Sequence, residues 1–308
     1  MNKILITGSN GLVGSALKRL LGENHIYHTK EDVDLLDGKK TNEYLSYHIK
    51  HNSVDTVIHC AAKVGGVQVN MKNNKGFFIE NFTMNNNVID SLFRNEVPNF
   101  VNLLSTCIFP DKNITFPLTP EQIDQGPPHF SNHGYSYAKR LSGYQTNIIK
   151  KILNTNWVSV IPTNVYGVND NFHLDNGHMI PAMIHRAFLA KKNNEKMVVW
   201  GDGSPLRQVI YSDDLAKLII WSLENWKNDL PFMAINEVEH SILEISKIIC
   251  NSINIDNEDI IFDSKKPMGQ HRKPAISNSP KEFNFTSLEN GIKETIDWFI
   301  ENYNFIRK

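Results

Sequence analysis

The feature that most constrains this 308-residue chain is a glycine-rich turn directly after its first apolar run. Lys3–Thr7 reads as a buried strand, and Gly8, Gly11 and Gly14 follow around the start of the periodic, helix-like segment Leu12–Leu21. Glycines at this spacing allow a tight turn and close approach of a pyrophosphate, while the first N–H groups of the helix stay available for an anion. The turn therefore predicts a dinucleotide site, with a purely structural turn as the alternative.

Continuous apolar runs alternate with helix-like stretches through the first half of the chain. Such runs cover residues 54–60, 100–104 and 157–161, and a shorter one covers 25–28. Strands that are apolar throughout are buried on both faces, which is typical of parallel sheets covered by helices. With right-handed crossovers, this pattern predicts an α/β fold with a doubly wound parallel sheet of the Rossmann type.

The second half of the chain has a looser pattern. A polar loop over 167–177 and a helix over 180–190 precede a helix over 215–223, which the segment 212–214 is expected to cap. No change of composition marks a linker, so we expect a smaller α/β substrate domain that is interleaved with the first. The predicted boundaries assign 1–165 and 208–232 to the cofactor domain, and 166–207 and 233–308 to the substrate domain.

Composition excludes several classes of protein. The 32 Lys and Arg against 33 Asp and Glu give a net charge of −1, which offers no general attraction for nucleic acid or an anionic membrane. No apolar run approaches the ~20 residues of a membrane span, and no signal peptide precedes the first strand. Cys60, Cys107 and Cys250 are too scattered for a disulfide framework or a paired metal site. We therefore expect a soluble cytoplasmic protein without a membrane, nucleic-acid or metal partner.

Three polar residues are candidates for catalysis. Tyr135 and Lys139 stand four residues apart in a helix-like stretch, so both side chains can reach one site. A phenol is a poor acid–base group at neutral pH, and the nearby ammonium is expected to lower its pKa. Ser105 follows the strand at 100–104, where doubly wound sheets bind ligands, and can donate a hydrogen bond to a substrate oxygen. Taken alone, Tyr135 and Lys139 would be an exposed pair in most proteins, and Ser105 would be a loop hydroxyl bonded to the backbone.

In combination, the N-terminal glycine turn, the strand-end serine and the Tyr-x-x-x-Lys sequence resemble the extended short-chain dehydrogenase/reductase family. Six blocks are similar, in order, to the GDP-L-fucose synthases of that family: residues 105–110, 133–140, 162–167, 170–172, 175–178 and 200–208. Those enzymes convert GDP-4-keto-6-deoxymannose to GDP-L-fucose by 3,5-epimerisation and NADPH-dependent 4-reduction. The resemblance implies NADP(H) as cofactor, a GDP-linked 4-keto sugar as substrate, and a homodimer formed through the helix that carries Tyr135 and its neighbour.

The resemblance also implies roles for residues of this sequence. The implied catalytic residues are Ser105, Tyr135 and Lys139 for reduction, with Cys107 and His178 for epimerisation. The implied cofactor-binding residues are Gly8, Asn10, Gly11, Gly14, Lys30, Ala61, Ala62, Tyr135, Lys139, Pro162, Asn164 and Val165. The implied substrate-binding residues are Arg186, Trp200 and Arg207. A thiol and an imidazole both exchange protons near neutral pH, and the planar guanidinium of arginine suits a diphosphate.

One lysine and one cluster of basic residues can each be interpreted in two ways. Lys30 follows the second predicted strand, where it can meet the 2′-phosphate of NADP, although a surface lysine there would be equally ordinary. A second group is expected to cover the diphosphate as a lid, with a plain surface loop as the alternative. Its members are Lys265, Lys266, His271, Arg272 and Lys273.

The sequence departs from the family pattern at three places. Met268 replaces an aspartate, residues 236–241 replace a glycine-containing turn, and Asn10 stands where some relatives carry an arginine near the cofactor. These departures leave open a C4-reductase without epimerase activity that acts on a related substrate such as a GDP-4-keto-heptose. More distant alternatives are a cofactor-recycling epimerase or dehydratase, and an NADP-binding regulatory module without turnover.

Overall fold

The computed structural model describes residues 3–266 and 271–307, and the predicted α/β fold is confirmed. The strands are β1 (Lys3–Thr7), β2 (Ile26–His28), β3 (Val54–His59), β4 (Asn99–Leu103), β5 (Asn156–Pro162), β6 (Asn164–Tyr166), β7 (Met197–Trp200), β8 (Leu206–Tyr211), β9 (Phe232–Ala234), β10 (Glu239–Ser241) and β11 (Ile260–Asp263). The helices are α1 (Leu12–Leu21), α2 (Gly38–His51), α3 (Val67–Lys72), α4 (Asn74–Arg94), α5 (His133–Leu153), α6 (Met179–Asn193), α7 (Ser212–Asn225), α8 (Ile242–Ile253) and α9 (Leu288–Glu301).

The main sheet has six strands in the order β2-β1-β3-β4-β5-β9, and every pair in it is parallel. After β1 the chain adds β2 on one side and then returns to add β3 on the other side. The strand order therefore reverses at β1, and the crevice beyond the carboxyl ends of β1 and β3 is where doubly wound sheets bind ligands.

Apolar side chains on both faces explain why the strands of this sheet read as continuous apolar runs. Leu5 and Ile6 are neighbours in β1 and both are fully buried, but they belong to different hydrophobic clusters. Ile6 packs with Leu17 of α1, whereas Leu5 lies in the cluster that contains Trp157. Burial of each such aliphatic side chain contributes about 1.5–3 kcal/mol.

Two smaller sheets and a third hydrophobic cluster lie in the second half of the chain. β8 pairs with β6 in parallel and with β10 in antiparallel orientation, and β7 pairs with β11 in parallel. The cluster draws its side chains from residues 166–306, with α6, α8 and α9 as its main helices. None of the helices within 3–266 and 271–307 is long and apolar enough to cross a membrane.

The start of α7 differs from the sequence-based prediction. The helix begins at Ser212, with Tyr211 before it and no side chain capping it, so the predicted cap formed by 212–214 is wrong. Asp214 is only 1% exposed, and its carboxylate accepts hydrogen bonds from the N–H of Thr286 at 2.6 Å and from its hydroxyl at 3.1 Å. Asp213 instead pairs with Arg19 of α1. Asp214 therefore binds the segment around Thr286 to α7, and Asp213 binds α1 to α7. Neither side chain caps the N-terminus of α7.

Replacing Asp214 by Ala should destabilise the fold, because the part-buried N–H of Thr286 loses its acceptor. We expect a loss of about 2–3 kcal/mol in the free energy of unfolding, measured by urea titration. Asp213→Ala, on the same turn and with a half-exposed ion pair, is the matched control and should cost less than about 1 kcal/mol. Equal losses in the two variants would contradict this assignment.

The loop between β6 and α6 contains a buried acid. Asp170 is 4% exposed; its Oδ1 accepts from the N–H of Asn171 at 2.7 Å, and its Oδ2 has no hydrogen-bond partner. Burial raises the pKa of this carboxyl group to about 7. Arg307 approaches the same loop, where it donates to the carbonyl of Asn169 at 2.6 Å. The loop is thus packed closely enough to disfavour the ionised form of its own acid.

The raised pKa of Asp170 predicts how stability depends on pH. Between about pH 4 and pH 7 the folded chain holds a proton at Asp170 that the unfolded chain has lost, so stability falls as the pH rises through this range. The contribution is on the order of 4 kcal/mol, from a pKa difference of about three units. Asp170→Asn should remove this slope in urea titrations from pH 4 to pH 8, whereas Asp175→Asn, an exposed position in the same loop, should keep it. An unchanged slope in Asp170→Asn would refute the prediction.

Candidate active site

The glycine-rich turn forms a cradle at the carboxyl end of β1. Gly8 has φ +68°, and a Cβ there would lie 2.7 Å from the backbone of Ala61. A Cβ at Gly14 would lie 2.4 Å from the carbonyl oxygen of Gly8. Gly11 precedes α1, and no side chain caps the first N–H groups of that helix. Backbone that is this close, with free N–H groups at a helix N-terminus, fits the pyrophosphate of a dinucleotide.

The other predicted cofactor residues lie around this cradle or at the same edge of the sheet. Ala61 and Ala62 follow β3, Pro162 ends β5, and Asn164 and Val165 begin β6.

Two further predicted cofactor residues are exposed. The carbonyl of Asn10 accepts a hydrogen bond from the side chain of Asn169 at 3.1 Å, which joins the turn to the β6–α6 loop. Lys30 has a side chain that is 77% exposed and pairs with Asp34 at 3.4 Å. Its proposed contact with a 2′-phosphate therefore stays a prediction.

Lys139 is anchored at the end of β4. It is 2% exposed, and its Nζ donates to the carbonyl oxygen of Leu103, the last residue of β4, at 2.7 Å. Burial lowers the pKa of Lys139 to about 8, and the charge of Cys60 works against this change. Burial raises the pKa of Cys60 to about 12, so its thiol stays protonated at neutral pH.

Ser105 and Cys107 form one unit just beyond β4. Ser105 caps a short 3-10 helix, Thr106–Ile108, and its Oγ accepts a hydrogen bond from the N–H of Cys107 at 3.2 Å. This bond leaves the hydroxyl hydrogen of Ser105 available to a ligand. The same turn therefore fixes the predicted reduction serine and the predicted epimerisation cysteine.

Tyr135 lies one turn of α5 before Lys139 and within electrostatic range of Cys107. Burial raises the pKa of Tyr135, and the charge of Cys107 raises it further. The sequence-based prediction that Lys139 lowers the pKa of Tyr135 is therefore wrong for this structure. The physical reason is that the phenol is half-buried, while the ammonium is held by the carbonyl of Leu103.

His178 immediately precedes α6, at the end of the β6–α6 loop. Its side chain is accessible to solvent yet closely surrounded by protein, and this partial desolvation lowers its pKa. The ring makes no hydrogen bond with the other four predicted catalytic residues in the part of the chain that the structure describes. The structure thus joins Ser105 and Cys107 by a hydrogen bond and places Tyr135 within electrostatic range of Cys107, whereas His178 comes from a different segment.

The predicted substrate residues form a cationic wall with an aromatic ring. The guanidinium of Arg186 lies over the ring of Trp200 at 4.5 Å and donates to the carbonyl of Leu174 at 2.9 Å. The ammonium of Lys266 lies 5.4 Å from the centre of the same ring. Arg207 donates to the carbonyl of Leu206 at 2.7 Å from β8. Burial lowers the pKa of both arginines, which remain charged at neutral pH.

The predicted basic lid separates into groups with different surroundings. Arg272 pairs with Glu239 of β10, with its Nε 2.9 Å from both carboxylate oxygens. Lys273 is half-buried, and burial lowers its pKa while the charge of Cys107 counteracts that change. Sequence reasoning placed Lys273 in a surface cluster and missed both its partial burial and its electrostatic interaction with Cys107. Met268, one of the departures from the family pattern, lies outside the described residues.

A buried polar network behind the site was also missed. His59 donates through Nε2 to Oδ1 of Asn85 at 3.0 Å, and its Nδ1 shares a 2.7 Å hydrogen bond with the hydroxyl of Thr7. Burial, together with the charge of Lys139, lowers the pKa of His59 to about 3, so the ring is neutral. A histidine inside an otherwise apolar strand was the available signal. Among the described residues, no three His, Cys, Asp or Glu side chains are grouped so that they could hold a metal ion.

Comparison with known proteins agrees with this arrangement. The NAD dependent epimerase/dehydratase family matches residues 4–236. A GDP-L-fucose synthase from Dictyostelium discoideum is 39% identical, with 99% of this chain and 97% of that protein covered. A GDP-L-colitose synthase from Yersinia pseudotuberculosis is 30% identical, with 98% and 99% covered.

Solved structures match over the whole chain. A GDP-L-fucose synthetase from Naegleria fowleri bound to NADP has a TM-score of 0.89 and 35% identity, covering 100% of this chain and 95% of that one. A GDP-6-OMe-4-keto-L-xylo-heptose reductase from C. jejuni has a TM-score of 0.87, with 98% of both chains covered; at 21% identity it shows the shared fold alone. With the family match over most of its length and full-length relatives at 30–39% identity, this chain belongs to the NAD-dependent epimerase/dehydratase family.

Proposed function

We propose that this chain is an NADPH-dependent enzyme that epimerises C3 and C5 of a GDP-4-keto-6-deoxy sugar and reduces its C4 ketone, as a GDP-L-fucose synthase does. The observation that carries the proposal is the turn in which the Oγ of Ser105 holds the N–H of Cys107, with Cys107 within electrostatic range of Tyr135. A ketone that is reduced at C4 lies next to the carbon atoms that are epimerised. One pocket therefore needs both sets of residues, and the names of the relatives support this activity.

NADPH would supply a hydride to C4 when bound. The cradle around Gly8, Gly11 and Gly14 would hold its pyrophosphate, because added Cβ atoms would fill that space. Lys30 would meet the 2′-phosphate from the exposed end of β2. The remaining proposed cofactor contacts are Asn10, Ala61, Ala62, Tyr135, Lys139, Pro162, Asn164 and Val165.

Tyr135 would donate the proton that completes the reduction. Its raised pKa keeps the phenol protonated at neutral pH, which is the form that protonates the developing alkoxide at O4. The free hydroxyl hydrogen of Ser105 would polarise the ketone. The ammonium of Lys139 uses one of its three donors on Leu103, so two remain for the nicotinamide ribose and for electrostatic support of the alkoxide.

Cys107 and His178 would invert C3 and C5. The C4 ketone acidifies the neighbouring C–H groups, because the resulting carbanion is delocalised into the carbonyl. The lowered pKa of His178 keeps its ring neutral at pH 7 and able to take up a proton, while Cys107 would deliver a proton to the opposite face. Between the two inversions His178, which is accessible to solvent, would release its proton to water, and the Cys107 thiolate would take up a proton from water, so that both groups regain their starting forms.

The substrate would lie between two domains. Arg186 and Arg207 would bind the diphosphate, with Trp200 beside them, and Lys266 and Lys273 would approach from the proposed lid. We propose that 1–165 with 208–232 forms the cofactor domain and 166–207 with 233–308 the substrate domain. The hydrophobic cluster drawn from residues 166–306 supports this division, and Val209 and Tyr211 of the 208–232 segment pack into it from the cofactor domain.

The reductase proposal is tested by the rate of NADPH oxidation with GDP-4-keto-6-deoxymannose. Tyr135→Phe should lower this rate by about 10²-fold or more, because it removes the proton donor without changing the ring. Tyr137→Phe, on the same helix, should keep a rate near that of the wild type. Reduction by Tyr135→Phe at the wild-type rate would overturn the assignment.

Epimerisation is separated from reduction by solvent exchange in the same reaction. In D₂O, Cys107→Ser and His178→Gln should each lose deuterium uptake at C3 or C5. A wild-type enzyme that oxidises NADPH without any uptake would instead be the alternative, a C4-reductase acting on a related sugar such as a GDP-4-keto-heptose. Cofactor binding without turnover would favour the regulatory module.

We infer that the enzyme is a homodimer formed through α4 and α5. Ile79 and Phe82 of α4 and Ile148 and Ile152 of α5 are exposed apolar side chains, which the same faces of a second copy would cover. Light scattering should give twice the monomer mass of 35.2 kDa, and Ile148→Glu combined with Ile152→Glu should give the monomer. Val198→Glu, at an exposed position in β7, is the control. A wild-type mass of 35.2 kDa would exclude the dimer.

We also place the enzyme in the cytoplasm. Its cysteines are all free, and disulfides are usual in proteins of oxidising compartments. NADPH-dependent reduction of a nucleotide sugar agrees with that location.

A further inference from the structure

We propose that a backbone hydrogen bond between Gly66 and Asn176 positions His178 for proton transfer, so that the loop after β3 serves epimerisation as well as cofactor binding. The N–H of Gly66 donates to the carbonyl oxygen of Asn176 at 3.1 Å. This inference rests on the proposed function, because it takes His178 as one member of the epimerisation pair. Gly66 is a positioning residue in this proposal and touches no reacting atom.

The contact joins two segments that serve different parts of the site. Residues 60–66 follow β3 and include Ala61, which touches the glycine cradle. Asn176 precedes His178 by two residues, in the loop that leads from β6 to α6. Cys107 is held on the β4 side by Ser105, whereas His178 comes from the second half of the chain. The Gly66–Asn176 bond therefore ties the segment of His178 to the loop that follows β3 of the main sheet.

The segment before His178 is held firmly enough to transmit this contact. Nδ1 of His173 accepts hydrogen bonds from the N–H groups of Asp175 and Asn176, each at 3.1 Å. The N–H of Gly177 donates to the carbonyl of His173 at 2.8 Å. The carbonyl of His178 then accepts the first helical bond of α6, from Ala182. A displacement of Asn176 is thus passed on to His178.

The other side of the contact is equally fixed. Asn70 is 6% exposed, and its Nδ2 donates to the carbonyl oxygens of Gly65 at 2.6 Å and Gly66 at 3.1 Å. A Cβ at Gly66 would lie 3.3 Å from the carbonyl oxygen of Gly177, which is tighter than most real Cβ contacts. The two loops therefore meet with little free space, as precise placement of an acid–base group requires.

Gly66→Pro tests the hydrogen bond with little change to the local backbone. Gly66 has φ −62°, the value that proline prefers, but proline lacks the N–H and would direct its Cδ at the carbonyl of Asn176. Gly66→Ala keeps the N–H and is the conservative control. Because Gly66→Pro can disturb folding, His173→Ala is a second variant, which removes the acceptor that holds Asp175 and Asn176 on the other side.

Two rates distinguish positioning of His178 from a general structural role. The first is deuterium uptake at C3 and C5 of GDP-4-keto-6-deoxymannose in D₂O with NADP⁺, followed by NMR. The second is oxidation of GDP-L-fucose by NADP⁺, followed by NADPH fluorescence, which involves hydride transfer at C4 without epimerisation.

We expect Gly66→Pro and His173→Ala to lower deuterium uptake by about tenfold or more, while GDP-L-fucose oxidation stays within about twofold. Gly66→Ala should stay near the wild type in both assays. Wild-type uptake in Gly66→Pro, or equal losses of both rates, would overturn the inference; if Gly66→Pro does not fold, His173→Ala decides by the same criteria. A wild-type enzyme that neither takes up deuterium nor oxidises GDP-L-fucose would overturn the proposed function itself, and this inference with it.

Discussion

The hydrogen bond from the Lys139 ammonium to the carbonyl of Leu103 is the interaction on which the rest of the site depends. A buried ammonium must be hydrogen-bonded, and the last carbonyl of β4 supplies that partner. The bond fixes α5 against the carboxyl edge of the sheet. Tyr135 lies one turn earlier on that helix, and Ser105 follows Leu103 by two residues. One contact between helix and strand thus sets the relative position of all three residues proposed for reduction.

Burial around Lys139 explains the protonation of its surroundings, because desolvation outweighs the opposing effect of the ammonium on the Cys60 thiol. Cys60 and Tyr135 have raised pKa values and stay neutral, and His59 cannot become protonated beside an ammonium in a desolvated region. Lys139, with a pKa of about 8, is mostly charged at pH 7. The proposed reaction places a developing alkoxide in this region. A fixed positive charge among neutral groups is the electrostatic arrangement that stabilises such an oxyanion.

Sequence reasoning predicted those parts of the molecule whose signal is local. The strand, glycine turn and helix at the N-terminus were confirmed with their bounds, and the strand predicted at 157–161 was confirmed within one residue at each end. The wrong or missing assignments concern groups whose partners are distant in sequence. Asp214 was assigned to the cap of α7 because its actual partner, Thr286, lies 72 residues away and gives no local signal. The pKa of Tyr135 is raised by burial and by the charge of Cys107, and the i,i+4 spacing of Tyr135 and Lys139 carries no information about either.

The central claim is that one site both inverts C3 and C5 and reduces C4. Its most direct test is NMR identification of the product formed from GDP-4-keto-6-deoxymannose and NADPH in D₂O. The account predicts GDP-L-fucose with deuterium at C3 and C5, protium at C4, and one NADPH oxidised for each molecule of product. A reduced product that keeps protium and the original configuration at C3 and C5, or turnover without consumption of NADPH, would contradict it.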